Sequence, residues 1–548
     1  MGPHAPPRLA VSSPENHRHG SAAPLLPSYS PALLSSVCPG TSEQKKHVNG
    51  YLSVLGGVLV HVCLGTVYTW GTLAVYVISY MRLLQIQRLQ AGQAAQIGSD
   101  SAEEDAPSLA AFSFASAPSL VRLSDSAWVL ASQFAGMTLG MPLGGKAQRI
   151  LGPCRTVIFG GALMSLAVGL APVLLHSYAL FVTVFGVLQG IGLGLAYTAP
   201  LLCGLAWFPD QKAGFGTGAL LFSPLQAAFL NPLNIPPSQA PYASHPAELY
   251  YDVSDAEQRE IMLRVPLLFK RLAICYLLLL SAGAALLRSP AAASPGVHTS
   301  GAAADGACVV GSRMEARGDE DGALVQRGRG EPGDDGVGAT VSVREALCSG
   351  AFWSLWILFF LNGLAICFTA TFWRLLAVDR SSRSYVLTEA RLALVGAAAS
   401  ACNALGRLAW GYVADKRGYQ TSLMSLSALW SALLFFLPNA APKGGFLYAC
   451  AVSGSFFCLG GNFSVFPSAV ASIFGRDAIG HLYGFIFGSQ LASSLGFAYL
   501  TQRVAQTIGT DGLGTLMGLC TALTALSVFC LPALSPTTKK RDSLQKQS

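Results

Sequence analysis

Runs of about twenty predominantly apolar residues recur along this chain, and they decide the solvent in which it can fold. Spans are visible at roughly 51–81, 125–146, 153–175, 178–206, 213–231 and 266–288. After a polar gap they resume at roughly 350–376, 388–411, 419–438, 445–473, 479–502 and 512–532. Each is near the length a helix needs to cross the hydrocarbon core. Charged residues make up 11% of the 548, against about 25% in a soluble domain. That is too few to coat the several domains a water-soluble chain of this length would form. Gly186, Gly190, Gly192 and Gly194 crowd one span; in lipid, residues this small let helices approach closely. The apolar–polar alternation of a membrane barrel is absent. The expected fold class is an all-α polytopic membrane protein of twelve transmembrane helices.

Lys and Arg in the connecting loops predict orientation. Lys146, Arg149 and Arg155 lie between spans 2 and 3, Lys212 between 4 and 5, and Lys416 and Arg417 after span 8. Arg476 precedes span 11, and Lys539, Lys540 and Arg541 occupy the tail. The opposite loops, 82–123 and 232–265, are long and carry Glu103, Glu104, Asp105, Glu248, Asp252 and Asp255. Both termini are therefore expected on the cytosolic side. The net charge of +7 reads as topogenic, with no aromatic-interleaved basic stripe for nucleic acid. The 13 cysteines form no CxxC pair and no Cys/His metal spacing, so no disulfide framework, metal or other cofactor is expected.

Residues 289–341 are rich in Ala, Gly, Ser and mixed charge, a composition that cannot offset ordering entropy. They divide the chain six spans from six. The expected organisation is a disordered cytosolic tail at 1–48, a six-helix half at 49–288, the linker at 289–341, a second half at 342–534 and a basic tail at 535–548. The halves echo each other. Gly144-Gly145-Lys-Ala-Gln-Arg-Ile-Leu-Gly152 follows span 2, and Trp410-Gly411-Tyr-Val-Ala-Asp415-Lys416-Arg417-Gly418 follows span 8. Parallel six-span repeats imply one half rocking against the other around a central site.

Further pieces fall in order along the spans. Gly65-Thr-Val-Tyr68-Thr-Trp70-Gly71 is in span 1, and Gly190-Ile-Gly-Leu-Gly194-Leu-Ala-Tyr197-Thr-Ala-Pro200 in span 4. Trp207-Phe208-Pro209-Asp210 follows, then Phe352-Trp353-Ser-Leu-Trp356 in span 7. The second half adds Asn403-Ala-Leu-Gly406-Arg407 with Asp415, and Phe466-Pro467 with Phe474-Gly475. Together these resemble the major facilitator superfamily, and more closely its oxalate:formate antiporter-like branch. The resemblance implies the major facilitator fold, two six-helix pseudo-repeats, and a secondary transporter working by alternating access.

Arg407 lies eight residues before Asp415, so about 12 Å into the membrane. A cation at that depth needs a polar cavity or a partner, and its planar fork matches a carboxylate. The resemblance implies that Arg407 binds the substrate carboxylate; the alternative is a structural arginine held by carbonyls. The family's second cation, a span-11 lysine in the oxalate transporter, aligns with Gln490, and its span-10 tryptophan with Leu459. One fixed cation suits a monoanion better than a dianion. Tyr68 and Tyr197 match aromatics that line the family's cavity, the alternative being helix-interface packing. Trp70 is a packing or gate residue grouped with them. His61 stands seven residues before Tyr68 on roughly the same face where the family commonly has glutamine. With an unperturbed pKa near ~6.5 it is a candidate proton carrier, or a neutral interhelical hydrogen-bonder. Asp415, Lys416, Arg417, Gly145 and Gly152 are expected in a cytosolic latch. Arg374, about 24 residues into span 7, is expected to snorkel to the outer surface, as are Lys270 and Arg271 at the start of span 6. Asn362, Asn403 and Gln226 are expected to hydrogen-bond between helices.

The expected function is transport of a small monocarboxylate such as pyruvate, lactate or formate, by proton symport or anion exchange, through a monomer in the lipid bilayer. Alternatives are a transporter-like nutrient sensor and an oxalate or dicarboxylate exchanger. No GxxxxGK[ST] loop supports ATP-driven pumping, and no HExxH or GxSxG motif supports an enzyme. Plasma membrane and organelle membrane both stay open.

Overall fold

The computed structural model describes residues 42–97, 120–207, 226, 229–233, 235–240, 248–289, 343–377, 387–475, 479–507 and 518–527. The chain divides into Met1–Lys46, described only at 42–46, and His47–Ser548. The expected span 5 (213–231), most of span 12, the linker and both tails, with Phe208, Pro209, Asp210, Lys212 and Arg476, lie wholly or largely outside the described residues.

Among the described residues the protein is all-α but for a small ribbon. The first half holds α1 (Ser42–Leu64), a 3₁₀ segment (Gly65–Thr69), α2 (Trp70–Ile97), α3 (Ser126–Leu151), α4 (Pro153–Leu174) and α5 (Val187–Trp207). Outside the bundle, strands β1 (Ser238–Ala240) and β2 (Glu248–Tyr250) pair antiparallel, with α6 (Ala256–Leu263) next and then α7 (Val265–Leu286). The second half holds α8 (Gly350–Phe372), α9 (Glu389–Arg417), α10 (Tyr419–Phe436), α11 (Gly445–Phe474), α12 (Ile479–Thr507) and the short α13 (Gly518–Ser527).

Among the described residues eight segments are long and apolar enough to cross a membrane. Helices α3 and α12 are as long but less apolar, and the reason is what they face. They pack on each other across the halves: a Cβ on Gly484 would lie 2.8 Å from Pro142, and Phe134 meets Phe487 at 5.9 Å. Their buried residues include Gln133, Ser489, Gln490, Ser493 and Ser494, which protein can satisfy and lipid cannot.

In each half the second helix lies on the fourth through glycine. A Cβ on Gly136 would strike the carbonyl of Val187, and one on Gly140 that of Ile191. In the second half Gly406 meets the carbonyl of Phe457, and Gly460 that of Asn403. The loops echo each other as well. Gly152 (φ 80) and Gly418 (φ 83) each break one helix in the left-handed region and start the next, a geometry that glycine adopts without penalty. Thr156 and Ser422, four residues on, return their hydroxyls to those glycines' carbonyls at 2.8 and 3.0 Å.

Three features depart from the sequence expectation. The first span runs helical from Val48 to Gly92, well past 81, because Arg82 is not a loop residue: it is buried, donates to the carbonyl of Val121 at 2.9 Å and lies over the Tyr250 ring at 4.1 Å. Helix α1 begins at Ser42, inside the stretch read as tail. The connection after 232 carries structure, with α6 capped by Asp255, whose Oδ1 accepts from the backbone of Glu257 at 2.9 Å.

Candidate functional site

Arg407 sits ten residues from the end of α9, about 15 Å along the helix axis, and is 4% exposed. Its Nε donates to Asn403 Oδ1 at 3.5 Å, one turn back. The guanidinium lies over Phe463 of α11, 5.0 Å from the ring centre, and faces the Tyr68 hydroxyl. Tyr68 packs against the same Phe463 at 5.5 Å. No carboxylate lies within salt-bridge distance of Arg407 among the described residues.

Tyr68 reaches this place through a local distortion. Gly65–Thr69 winds as a 3₁₀ segment inside the first span, all five residues buried. Thr66 and Thr69 hold it by donating to carbonyls three residues back, each at 2.7 Å. That is the tighter repeat of a 3₁₀ turn, which in mid-helix often marks a functional hinge.

Tyr197 of α5 closes the cluster from the first half, 5.3 Å from His61 edge-on and 6.4 Å from Tyr483. His61 is buried, with Nδ1 2.9 Å from the carbonyl of Gly57. A carbonyl only accepts, so Nδ1 carries the hydrogen and Nε2 is the open position. His61 is also close enough to feel the charge of Arg407. The structure thus brings Arg407, Tyr68, Tyr197 and His61 together, from three helices and both halves.

Two residues fall elsewhere. Trp70 is two positions beyond Tyr68 and so faces roughly the opposite way. Its Nε1 donates to the carbonyl of Ser126 at 2.9 Å and its ring leans on Phe181 at 6.3 Å, so it packs inside the first half. Gln490 is fully buried and donates to the carbonyl of Phe359 at 2.8 Å. Phe359 in turn meets Phe463 at 6.1 Å.

Asp415 is half-buried near the end of α9, with Lys416 and Arg417 exposed at its last turn. Gly145 is buried in α3, and Gly152 is the left-handed break after it. Asn362 bridges helices as expected, to Ser427 at 3.2 Å and Asn462 at 2.9 Å. Arg374 corrects its expectation. It is 2% exposed and ion-paired to Glu389, buried because a carboxylate is there to receive it. Sequence reading missed two cluster members. Tyr483 and Phe463 gave no signal, each standing in a span with several other aromatic residues.

No protein-family model matches the chain. It is 75% identical to "Apicoplast pyruvate carrier 1" of Toxoplasma gondii, over 100% of both chains. It is 24% identical to "Apicoplast pyruvate carrier 2" of that organism, over 89% of this chain and 83% of the other. It is 26% identical to the oxalate:formate antiporter of Oxalobacter formigenes, over 37% of this chain and 48% of the other. Among solved structures, the nucleoside transporter NupG superposes with a TM-score of 0.49 and 11% identity, over 88% of this chain and 100% of that one.

Proposed function

From a chain that belongs to the major facilitator superfamily, in the oxalate:formate antiporter-like and monocarboxylate-transporter branch, we propose a carrier that moves pyruvate through a site centred on Arg407. The observation that carries this is the contrast among three buried arginines, of which Arg82 lies at the end of its span against the carbonyl of Val121 and the Tyr250 ring. Arg374 has Glu389 beside it, whereas Arg407, 4% exposed, has no carboxylate within reach among the described residues. A desolvated cation costs several kcal/mol unless a counter-charge arrives, and a substrate carboxylate supplies it bidentately. Phe463 fixes the guanidinium from one side, while the hydroxyls of Tyr68 and Tyr197 offer donors for the ketone or second carboxylate oxygen.

Gln490 supports a monoanion. Its side chain is a neutral amide, held by the carbonyl of Phe359, and adds no second positive charge. The names of the 75% and 24% identical relatives favour pyruvate within that class. In proteoliposomes, labelled pyruvate should show saturable counterflow at least about tenfold faster than oxalate, as expected where a second buried charge would go unpaired. Oxalate exchange without pyruvate exchange would overturn the reading. Gln490→Lys should move the preference toward oxalate.

His61 is the proposed proton carrier, beside an apolar-walled cation. Substrate anion placed between His61 and Arg407 would favour a proton on the imidazole, tying proton uptake to anion binding. Uptake should then rise as pH on the supply side falls through the histidine range. His61→Gln should keep uptake and flatten that dependence; an unchanged pH profile removes His61 from the mechanism. Both termini cytosolic, a monomeric carrier and an apicoplast membrane complete the proposal. Asp415, Lys416, Arg417, Gly145 and Gly152 form its cytosolic latch, and the linker separates its two halves.

A further inference from the structure

Some 18 residues along α9 from Arg407 lies Glu389, about 27 Å away and toward the membrane face opposite the Gly152 and Gly418 turns. Among the described residues it is the one buried acidic side chain, 5% exposed. Its carboxylate pairs with Arg374, which is 2% exposed. Both belong to the second half, and both also bond to the first. Arg374 Nη1 donates to the carbonyl of Thr72 at 3.3 Å. The Tyr76 hydroxyl donates to Glu389 Oε2 at 3.2 Å, and its ring lies 5.4 Å from the Arg374 guanidinium carbon. Backbone contact is close as well, since a Cβ on Gly71 would lie 2.5 Å from the carbonyl of Ala370. Tyr251, from the connection after β2, stacks on Tyr76 at 5.1 Å and covers the assembly. Its backbone N–H is tied to Ser79 Oγ at 3.1 Å.

We propose that the Arg374–Glu389 pair is a socket into which Tyr76 and Thr72 dock, and that this docking holds one face of the carrier shut. A buried ion pair does little for net stability compared with apolar residues of the same size. It does discriminate sharply between two arrangements, because every lost bond leaves a charge or dipole short of a partner. Rigid-body rocking of one half against the other would keep Arg374 and Glu389 together and pull Tyr76 and Thr72 away. Water then replaces part of what is lost, so opening costs the net worth of a few hydrogen bonds, little enough for the motion to reverse. Such a near balance is what alternating access requires. The Arg407 cluster sits deeper, so that release of the socket exposes the central site from this face.

The test uses full-length carrier in nanodiscs, with spin-labelled unnatural residues at Gln87 and Arg391, both exposed and flanking the socket on α2 and α9. Pulsed electron resonance reads the distance between them. The unsubstituted carrier should favour the short distance. Tyr76→Phe, which removes one hydroxyl, should raise the long-distance population about tenfold, the weight of one hydrogen bond to a charged group. Glu389→Gln should do at least as much, and Arg374→Lys should fall between. Thermal melting in the same discs confirms that each variant is folded. Should Glu389→Gln fail to fold, Tyr76→Phe decides alone. Folded variants with the unsubstituted distance distribution overturn the proposal, and because the readout needs no substrate that result leaves the Arg407 site unaffected.

Discussion

Arg407→Gln should abolish pyruvate counterflow while the protein still reaches the membrane and melts as before. Glutamine fills much of the arginine's volume and can still hydrogen-bond, so packing against Phe463 is largely kept. What it lacks is the charge that draws a carboxylate out of water. Removing one partner of a desolvated charge pair costs about 2–5 kcal/mol, and 1.4 kcal/mol is about tenfold, so transport should fall by about thirtyfold to a few thousandfold. Arg407→Lys keeps the charge and loses the planar fork; an intermediate loss of roughly tenfold separates electrostatics from geometry. Wild-type transport by Arg407→Gln, assayed by labelled pyruvate in proteoliposomes, would place anion binding elsewhere.

The second large effect is on folding. Gly406 faces α11 so closely that a Cβ would collide with the carbonyl oxygen of Phe457 and sit 3.0 Å from its Cα. Backbone cannot yield as a side-chain tip can, and overpacking of this kind costs about 1–3 kcal/mol for small insertions. Gly406→Ala should lower the melting temperature by several degrees, and Gly406→Leu should leave no monodisperse protein on size exclusion. Gly496→Leu is the control, since a Cβ there meets nothing within 4 Å. Equal melting of Gly406→Leu and Gly496→Leu would mean that α9 and α11 do not pack as described.

Hydrophobic run length made the membrane fold legible in the sequence, because lipid imposes one requirement on every span. The glycine-ended echo after spans 2 and 8 was legible too, since only a few residue types tolerate that backbone. Arg407 showed itself by being charged where charge is expensive. Arg374 misled for the same reason: depth counted along one helix cannot reveal that Glu389, fifteen positions later in the chain, lies beside it. Trp70, read as a packing or gate residue, packs inside the first half, while the tight turn at Gly65–Thr69 has no signature in residue type. Tyr483 and Phe463 were hidden among many aromatics, which mark burial before they mark a site.

That tight turn acts as a screw. Five residues at three per turn sweep about 600° where an α-helix would sweep about 500°, and they rise about 10 Å in place of about 7.5 Å. Everything beyond Thr69 is thereby swivelled by about a quarter-revolution and pushed outward by about 2.5 Å relative to His61. Rewinding those five residues to ordinary pitch would swing Tyr76 off Glu389 at the same moment as it displaced Tyr68 from Arg407. A single short stretch of backbone thus carries Tyr68, in the middle of the molecule, and leads on to Tyr76 near its rim.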